Sequence, residues 1–103
     1  MVRTPTPGTL RKYGLTEQVW RKTLTGQGGV CAVCRKEPPS GRLVVDHHHV
    51  KGWKRMPPTE RVKYVRGLLC FVCNGKRANK YMTVVLARAV VDYLLWYEQR
   101  RPK

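Results

Sequence analysis

The sequence predicts one small domain of the α+β class, with a short helix near the N-terminus, two short strands and a long C-terminal helix. Three observations carry this. The chain has 103 residues, enough for one hydrophobic core and not two. Its apolar residues follow helical spacing near both ends and form short β-like runs between them. Four cysteines stand as two Cys-x-x-Cys pairs. A domain of this size usually needs such a staple in addition to its core.

The elements follow in order. Residues 1–12 hold two prolines, one glycine, three threonines and three basic residues, and read as a flexible basic arm. Thr16 suits a helix N-cap, with Glu17 and Gln18 in a first turn where an acidic group complements the helix dipole. Leu15 and Trp20 have the spacing of a hydrophobic staple. Gly26, Gly28 and Gly29 end this helix, which the sequence places at about 16–25. The first cysteine pair lies in a turn over 30–36, followed by the turn residues Pro38, Pro39, Ser40 and Gly41. Arg42 to Val45 is β-like and ends at Asp46. A basic loop over 50–63 follows, carrying Lys51, Trp53, Lys54, Arg55, Arg61 and Lys63. Val65 to Leu69 reads as a second strand, and helix signals dominate from Asn74 onward. The last helix, expected over 82–99, leaves only a thin polar stripe at Arg88 and Asp92. A helix apolar nearly all round is covered on more than one side, which a domain this small cannot supply. A homodimer is therefore expected, with one wide core face as the simpler alternative. The division expected is an arm over 1–12, a stapled domain over 13–80 and a dimerisation helix over 81–103.

Charge narrows the partners. Twenty-one Lys and Arg face 6 Asp and Glu, a formal charge of +15. Such a balance favours a polyanion through counterion release. Charge alone also suits a ribosomal or membrane-surface protein, but here the basic residues run from Arg3 to Lys103 rather than in one tail. That favours a folded nucleic-acid-binding surface. No apolar run approaches the roughly 20 residues that span a bilayer. The first ten residues have no apolar h-region, so the expectation is an intracellular protein with reduced thiols and no membrane partner.

Under reducing conditions, Cys31-x-x-Cys34 and Cys70-x-x-Cys73 suit one tetrahedral zinc ion. Four protein ligands leave no open position, so this zinc is structural. Two disulfides would need an oxidising compartment, and buried free thiols would not explain the paired spacing. An iron–sulfur cluster takes the same four thiolates and is the remaining alternative. Asp46-His47-His48-His49 follows the first strand. An aspartate beside histidines combines a hard oxygen ligand with bases that titrate near neutral pH. Asn74, directly after Cys73, adds a carbonyl oxygen that the zinc knuckle would bring back towards Asp46. Such a donor set suits magnesium or manganese on a phosphate. A solvated polar segment beside a zinc knuckle is the plainer reading of the same residues.

The segments Tyr13-Gly-Leu-Thr16, Gln27-Gly-Gly-Val-Cys31-Ala-Val-Cys34, Leu43-Val-Val-Asp46-His47-His48-His49 and Val65-Arg-Gly-Leu-Leu-Cys70-Phe-Val-Cys73-Asn74 occur in this order. Together they resemble the phage recombination endonuclease VII family, a zinc-bearing branch of the HNH (ββα-metal, His-Me finger) nucleases. The resemblance implies a ββα-metal core and homodimers that resolve branched DNA, including four-way (Holliday) junctions, in a phage-infected host cell. It implies that Asp46 and Asn74 bind the catalytic metal, that His47 is the general base and that His49 orients or contacts the scissile phosphate. Cys31, Cys34, Cys70 and Cys73 would hold zinc, and His48 has no implied role. Two departures stand out: the stretch between His49 and Arg66 is longer than the family pattern, and the C-terminal part is shorter.

The resulting expectation is a DNA endonuclease with one catalytic metal and a histidine base. Arg66, Lys76, Lys51, Lys54 and Arg55 are its expected DNA contacts, since such side chains fix register on the phosphate backbone. Trp53 either stacks on a base or packs on the domain, with packing favoured. Tyr64, Tyr81, Tyr93 and Tyr97 suit core or interface. Two other functions fit the same sequence: an HNH nickase of ordinary duplex, and a zinc-stapled DNA-binding module without catalysis.

Overall fold

A computed structural model describes residues 2–100. Residue 1 of the expected arm, and 101–103 of the expected C-terminal element, lie outside the described residues.

Part of the expected arm is helical. Helix α1 (Pro7–Lys12) begins at Thr6, whose hydroxyl accepts the Thr9 N–H at 3.3 Å. Pro7 at the first position has φ preset for a helix. Leu10 drives the segment onto the core, being 7% exposed. Composition suggested a flexible segment because one buried leucine is too weak a periodic signal. Helix α2 (Glu17–Gly26) matches its expected start: Thr16 accepts the Val19 N–H at 3.1 Å. Leu15 and Trp20 both join the buried cluster. Gly28 and Gly29 then turn the chain at φ of 75° and 76°, a left-handed region that costs glycine little.

Strands β1 (Val44–His47) and β2 (Val65–Leu69) pair antiparallel in a two-stranded sheet. β1 starts two residues later than Arg42 and runs through Asp46 into His47. Leu68 pairs with Val45, and Gly67 with Asp46, but His47 pairs with Val65. Arg66 is therefore the extra residue of a bulge between Asp46 and His47. Bulges bend a strand and re-aim its side chains.

The loop expected over 50–63 contains ordered turns. A 3-10 turn spans Trp53–Arg55, one helical turn α3 spans Pro58–Arg61, and a second 3-10 turn spans Val62–Tyr64. Beyond β2 a π-helical turn covers Cys73–Arg77, and helix α4 spans Val84–Arg100. The Thr83 hydroxyl caps α4 by accepting the Leu86 N–H at 3.1 Å.

The core joins α1, α2, the first cysteine turn and the sheet through Leu10, Leu15, Trp20, Cys31, Leu43, Val45, Leu68, Leu69 and Cys73. One polar side chain sutures it. The buried Gln27 amide donates to the Val30 and Leu68 carbonyls and accepts the Leu68 N–H, at 3.0, 2.9 and 2.9 Å. No residue of α4 is buried. The radius of gyration is 16.1 Å, against about 13 Å expected for a compact chain of this length. Helix α4 therefore stands away from the core.

Candidate functional site

The four cysteines come together although 35 residues separate the pairs. Their sulfurs all lie within 4.8 Å of one another, and Cys34 and Cys70 Sγ are 3.9 Å apart. Tetrahedral zinc at about 2.3 Å from each sulfur would space the sulfurs by roughly 3.8 Å. The Val33 N–H points at Cys31 Sγ and the Cys73 N–H at Cys70 Sγ, both at 3.4 Å, so each knuckle turn aims its sulfurs inward. Arg77, one turn on, donates to Cys73 Sγ at 3.1 Å. Burial raises the Cys31 thiol, but hydrogen bonds from the Cys70, Cys34 and Val33 backbone outweigh it and bring the pKa down to about 6. Burial pushes Cys73 up to about 11, against the pull of Arg77. Four sulfurs this close cannot all ionise without a cation between them. The cluster can therefore hold a structural metal such as zinc.

The second centre lies where β1 leaves the sheet. Asp46 is 6% exposed, and Arg66 grips both of its carboxylate oxygens, Nε to Oδ2 at 2.7 Å and the second nitrogen to Oδ1 at 3.0 Å. This two-pronged pairing is the strong geometry for a carboxylate. It exists because the bulge leaves Arg66 beside Asp46. Arg66, expected on the phosphate backbone, is here committed to Asp46, with its side chain 41% exposed.

His47 and His49 lie on one side, with ring centroids 4.4 Å apart. His48 instead donates its N–H to the Tyr64 carbonyl at 2.8 Å, away from the pair. His47 also stacks on Trp53 at 4.3 Å and 19°, and contacts the Tyr13 ring at 5.6 Å. Burial and then the neighbouring His49 lower the His47 pKa below 6.5, outweighing the pull of Asp46. Burial raises the Tyr13 hydroxyl above its usual 10, so Tyr13 stays protonated at neutral pH.

His47 and His49 open onto a cavity of about 650 Å³. Lys12 and Tyr13 from the end of α1 form one wall; Lys51, Lys54 and Arg55 form the basic rim, and Trp53 lies between. The three rim residues are exposed. A second cleft of about 320 Å³ carries His49, Arg66 and Lys80. Lys76 is exposed on the π-helical turn.

Asn74 also lies on that turn, half-buried, its N–H bonded to the Cys70 carbonyl at 3.0 Å. Its side chain makes no hydrogen bond among the described residues. The structure thus joins Asp46 to Arg66 and His47 to His49, but records no contact between Asn74 and Asp46. Carboxylate and amide oxygens are hard donors that suit magnesium or manganese. A cation at Asp46 would have to share that carboxylate with Arg66 or displace it.

Sequence reasoning missed Lys12, Tyr13 and Lys80. Their neighbours are distant in sequence, and only the Tyr-Gly start of the first matching segment pointed to Tyr13. Arg61 also gains a role. From sequence it has none beyond the basic loop, but its three nitrogens donate to the Trp53, Lys12 and Lys54 carbonyls at 3.2, 3.0 and 2.8 Å.

Residues 8–95 match the family described as recombination endonuclease VII. Two curated relatives are each called Gene 59 protein. The one from Mycobacterium phage D29 is 33% identical over 92 residues, covering 82% of this chain and 46% of the relative. The one from Mycobacterium phage L5 is 35% identical over 85 residues, covering 82% of this chain and 42% of the relative. The chain thus spans less than half the length of these relatives. No solved structure matches it. No described helix is long and apolar enough to cross a membrane.

Proposed function

The chain belongs to the recombination endonuclease VII family, and from that premise we propose that it is a metal-dependent DNA endonuclease acting at branched DNA such as four-way (Holliday) junctions. The observation that carries the reading is His47, held with a lowered pKa beside a buried carboxylate and open to a cavity with a basic rim. A base for water must be neutral at working pH and accessible to substrate. A binding module without catalysis needs neither property.

In this reading, β1, β2 and the turn after Cys70 form a ββα-metal core that zinc on Cys31, Cys34, Cys70 and Cys73 would hold together. His47 accepts a proton from water, and the water oxygen attacks phosphorus opposite the 3′ oxygen. The P–O3′ bond breaks with its electron pair on the 3′ oxygen, which solvent protonates. The ends are a 5′-phosphate and a 3′-hydroxyl. Asp46 and Asn74 would hold magnesium or manganese, and the ion would supply neutralisation of charge on the phosphate and on the leaving oxygen. His49 orients the phosphate. Lys51, Lys54 and Arg55 guide the strand along the cavity, while Lys76 and Arg66 contact flanking phosphates. Arg66 does so on leaving Asp46.

The partner of α4 is a second copy of the chain. Leu86, Val90, Leu94 and Tyr97, spaced three or four residues apart along one side of α4, are between 43% and 52% exposed. A contiguous apolar face of this kind marks an interface. Two copies bring two cutting centres, as paired cuts across a junction require. The setting is the cytoplasm of a phage-infected host cell.

The test uses a labelled four-way junction and a linear duplex of matched sequence, each with magnesium, manganese or chelator. Metal-dependent cuts near the branch point are expected. Equal cutting of both substrates would discard branch selectivity and leave a duplex nickase. Tight, salt-sensitive binding without cutting in any metal would leave a binding module.

A further inference from the structure

We propose that Trp53 and Arg61 are positioning residues for His47, so that the long basic loop sets the aim of the proposed base as well as meeting DNA. The inference rests on the reading of His47 given above. It concerns residues for which the family pattern implies no role.

His47 is the last residue of β1, just past the bulge, where backbone pairing with Val65 fixes its main chain but not its ring. A histidine there needs its ring held by something other than the sheet. Trp53 supplies a flat surface: its ring is nearly parallel to the imidazole at 4.3 Å, and it is only 9% exposed. Tyr13 closes the corner, 5.6 Å from His47 and 5.7 Å from Trp53. A tryptophan on a loop is a reliable support only if the loop is fixed.

Arg61 fixes it. Its guanidinium lies 4.5 Å from the centre of the Trp53 ring, a cation–π distance. The same group bonds the Trp53 and Lys54 carbonyls of the 3-10 turn and the Lys12 carbonyl at the end of α1. One side chain thereby ties the turn that carries Trp53 to the helix end that leads into Tyr13. Lysine cannot reproduce this, since it lacks the planar fork that serves several carbonyls at once. An arginine with all three nitrogens used on backbone is a brace, and Lys54 and Arg55, next to Trp53 in sequence, remain for the phosphates. Displacing a reacting group by about 1 Å can cost on the order of 10²-fold in rate.

The experiment compares Trp53→Leu, Trp53→Phe and Arg61→Lys with wild type in the zinc-loaded full chain. It reads kcat and KM on a labelled four-way junction, junction affinity without catalytic metal, and the His47 ring proton resonances. Trp53→Leu is expected to lower kcat by about 10- to 100-fold, with KM and affinity within about twofold of wild type. Trp53→Phe keeps a stacking surface and recovers most of the rate. Arg61→Lys falls between them. The His47 ring protons, shielded by the indole in wild type, move downfield in Trp53→Leu and less in Trp53→Phe.

A Trp53→Leu kcat equal to wild type would overturn the proposal, as would a loss confined to KM and affinity. So would His47 resonances unmoved by the substitution. If Trp53→Leu does not fold, Trp53→Phe and Arg61→Lys carry the test alone: wild-type kcat and shifts in both refute it. If wild type itself cuts no DNA, the nuclease reading fails, and the ring shifts still decide whether Trp53 holds His47.

Discussion

His47 is the residue on which most of the chemistry converges. A histidine acts as a base only in its unprotonated form. Burial and His49 lower its pKa below 6.5, so the neutral form already dominates at pH 7. The rate should therefore rise with slope one on the acid side, with its midpoint below pH 6.5, and flatten as the pH passes that midpoint. A pH profile of kcat/KM in manganese checks this, and a midpoint at or above pH 7 would contradict it. At this scale the sequence was informative where chemistry is tied to spacing. Two Cys-x-x-Cys pairs and an Asp-His at a strand end need no fold to be recognised. What could not be read was what the chain folds back onto those residues. Tyr13 meets His47 from 34 positions away. The Arg66 grip on Asp46 depends on a bulge that no local pattern announced.

Among the elements, the knuckles do the organising. The first cysteine turn hydrogen-bonds β2 through the Ala32 N–H to the Leu68 carbonyl at 3.2 Å, and the second begins where β2 ends. Without metal, a two-stranded sheet, the Gln27 hydrogen bonds and a small buried cluster would have to hold these pieces. Structural zinc contributes an apparent binding free energy of about 10–16 kcal/mol in small domains, comparable with the whole stability of a domain. Stripping the metal, or replacing Cys73 by Ser, should abolish the cooperative thermal transition and near-ultraviolet circular dichroism. Returning zinc to the stripped wild type should restore both at about one ion per chain. A chelated protein that melts as before would refute a structural metal. Helix α2 was legible because its cap, staple and glycine stop all agree. The basic loop was less legible, since short 3-10 turns have too few residues to show a period.

At the scale of the molecule, α4 and the charge decide behaviour. Among the described residues, most of the exposed large hydrophobic side chains lie on this helix, and its extent was plain from hydropathy alone. What covers it was not, because a sequence shows an apolar face without its partner. If two copies pack there, Val90→Glu with Leu94→Glu should convert a dimer to a monomer in analytical ultracentrifugation. Cutting by the monomer should shift from paired cuts to single nicks. A wild type that sediments as a monomer at micromolar concentration would contradict the dimer. The +15 charge makes all DNA binding salt-dependent, so affinities must be compared at one ionic strength.

The most direct test of the account is single-turnover cleavage of a four-way junction in manganese by wild type and His47→Ala, with binding of the same junction measured in chelator. The account predicts a loss of at least about 10²-fold in cleavage with affinity within about threefold of wild type. Cleavage by His47→Ala at the wild-type rate would contradict it, because the base would then lie elsewhere.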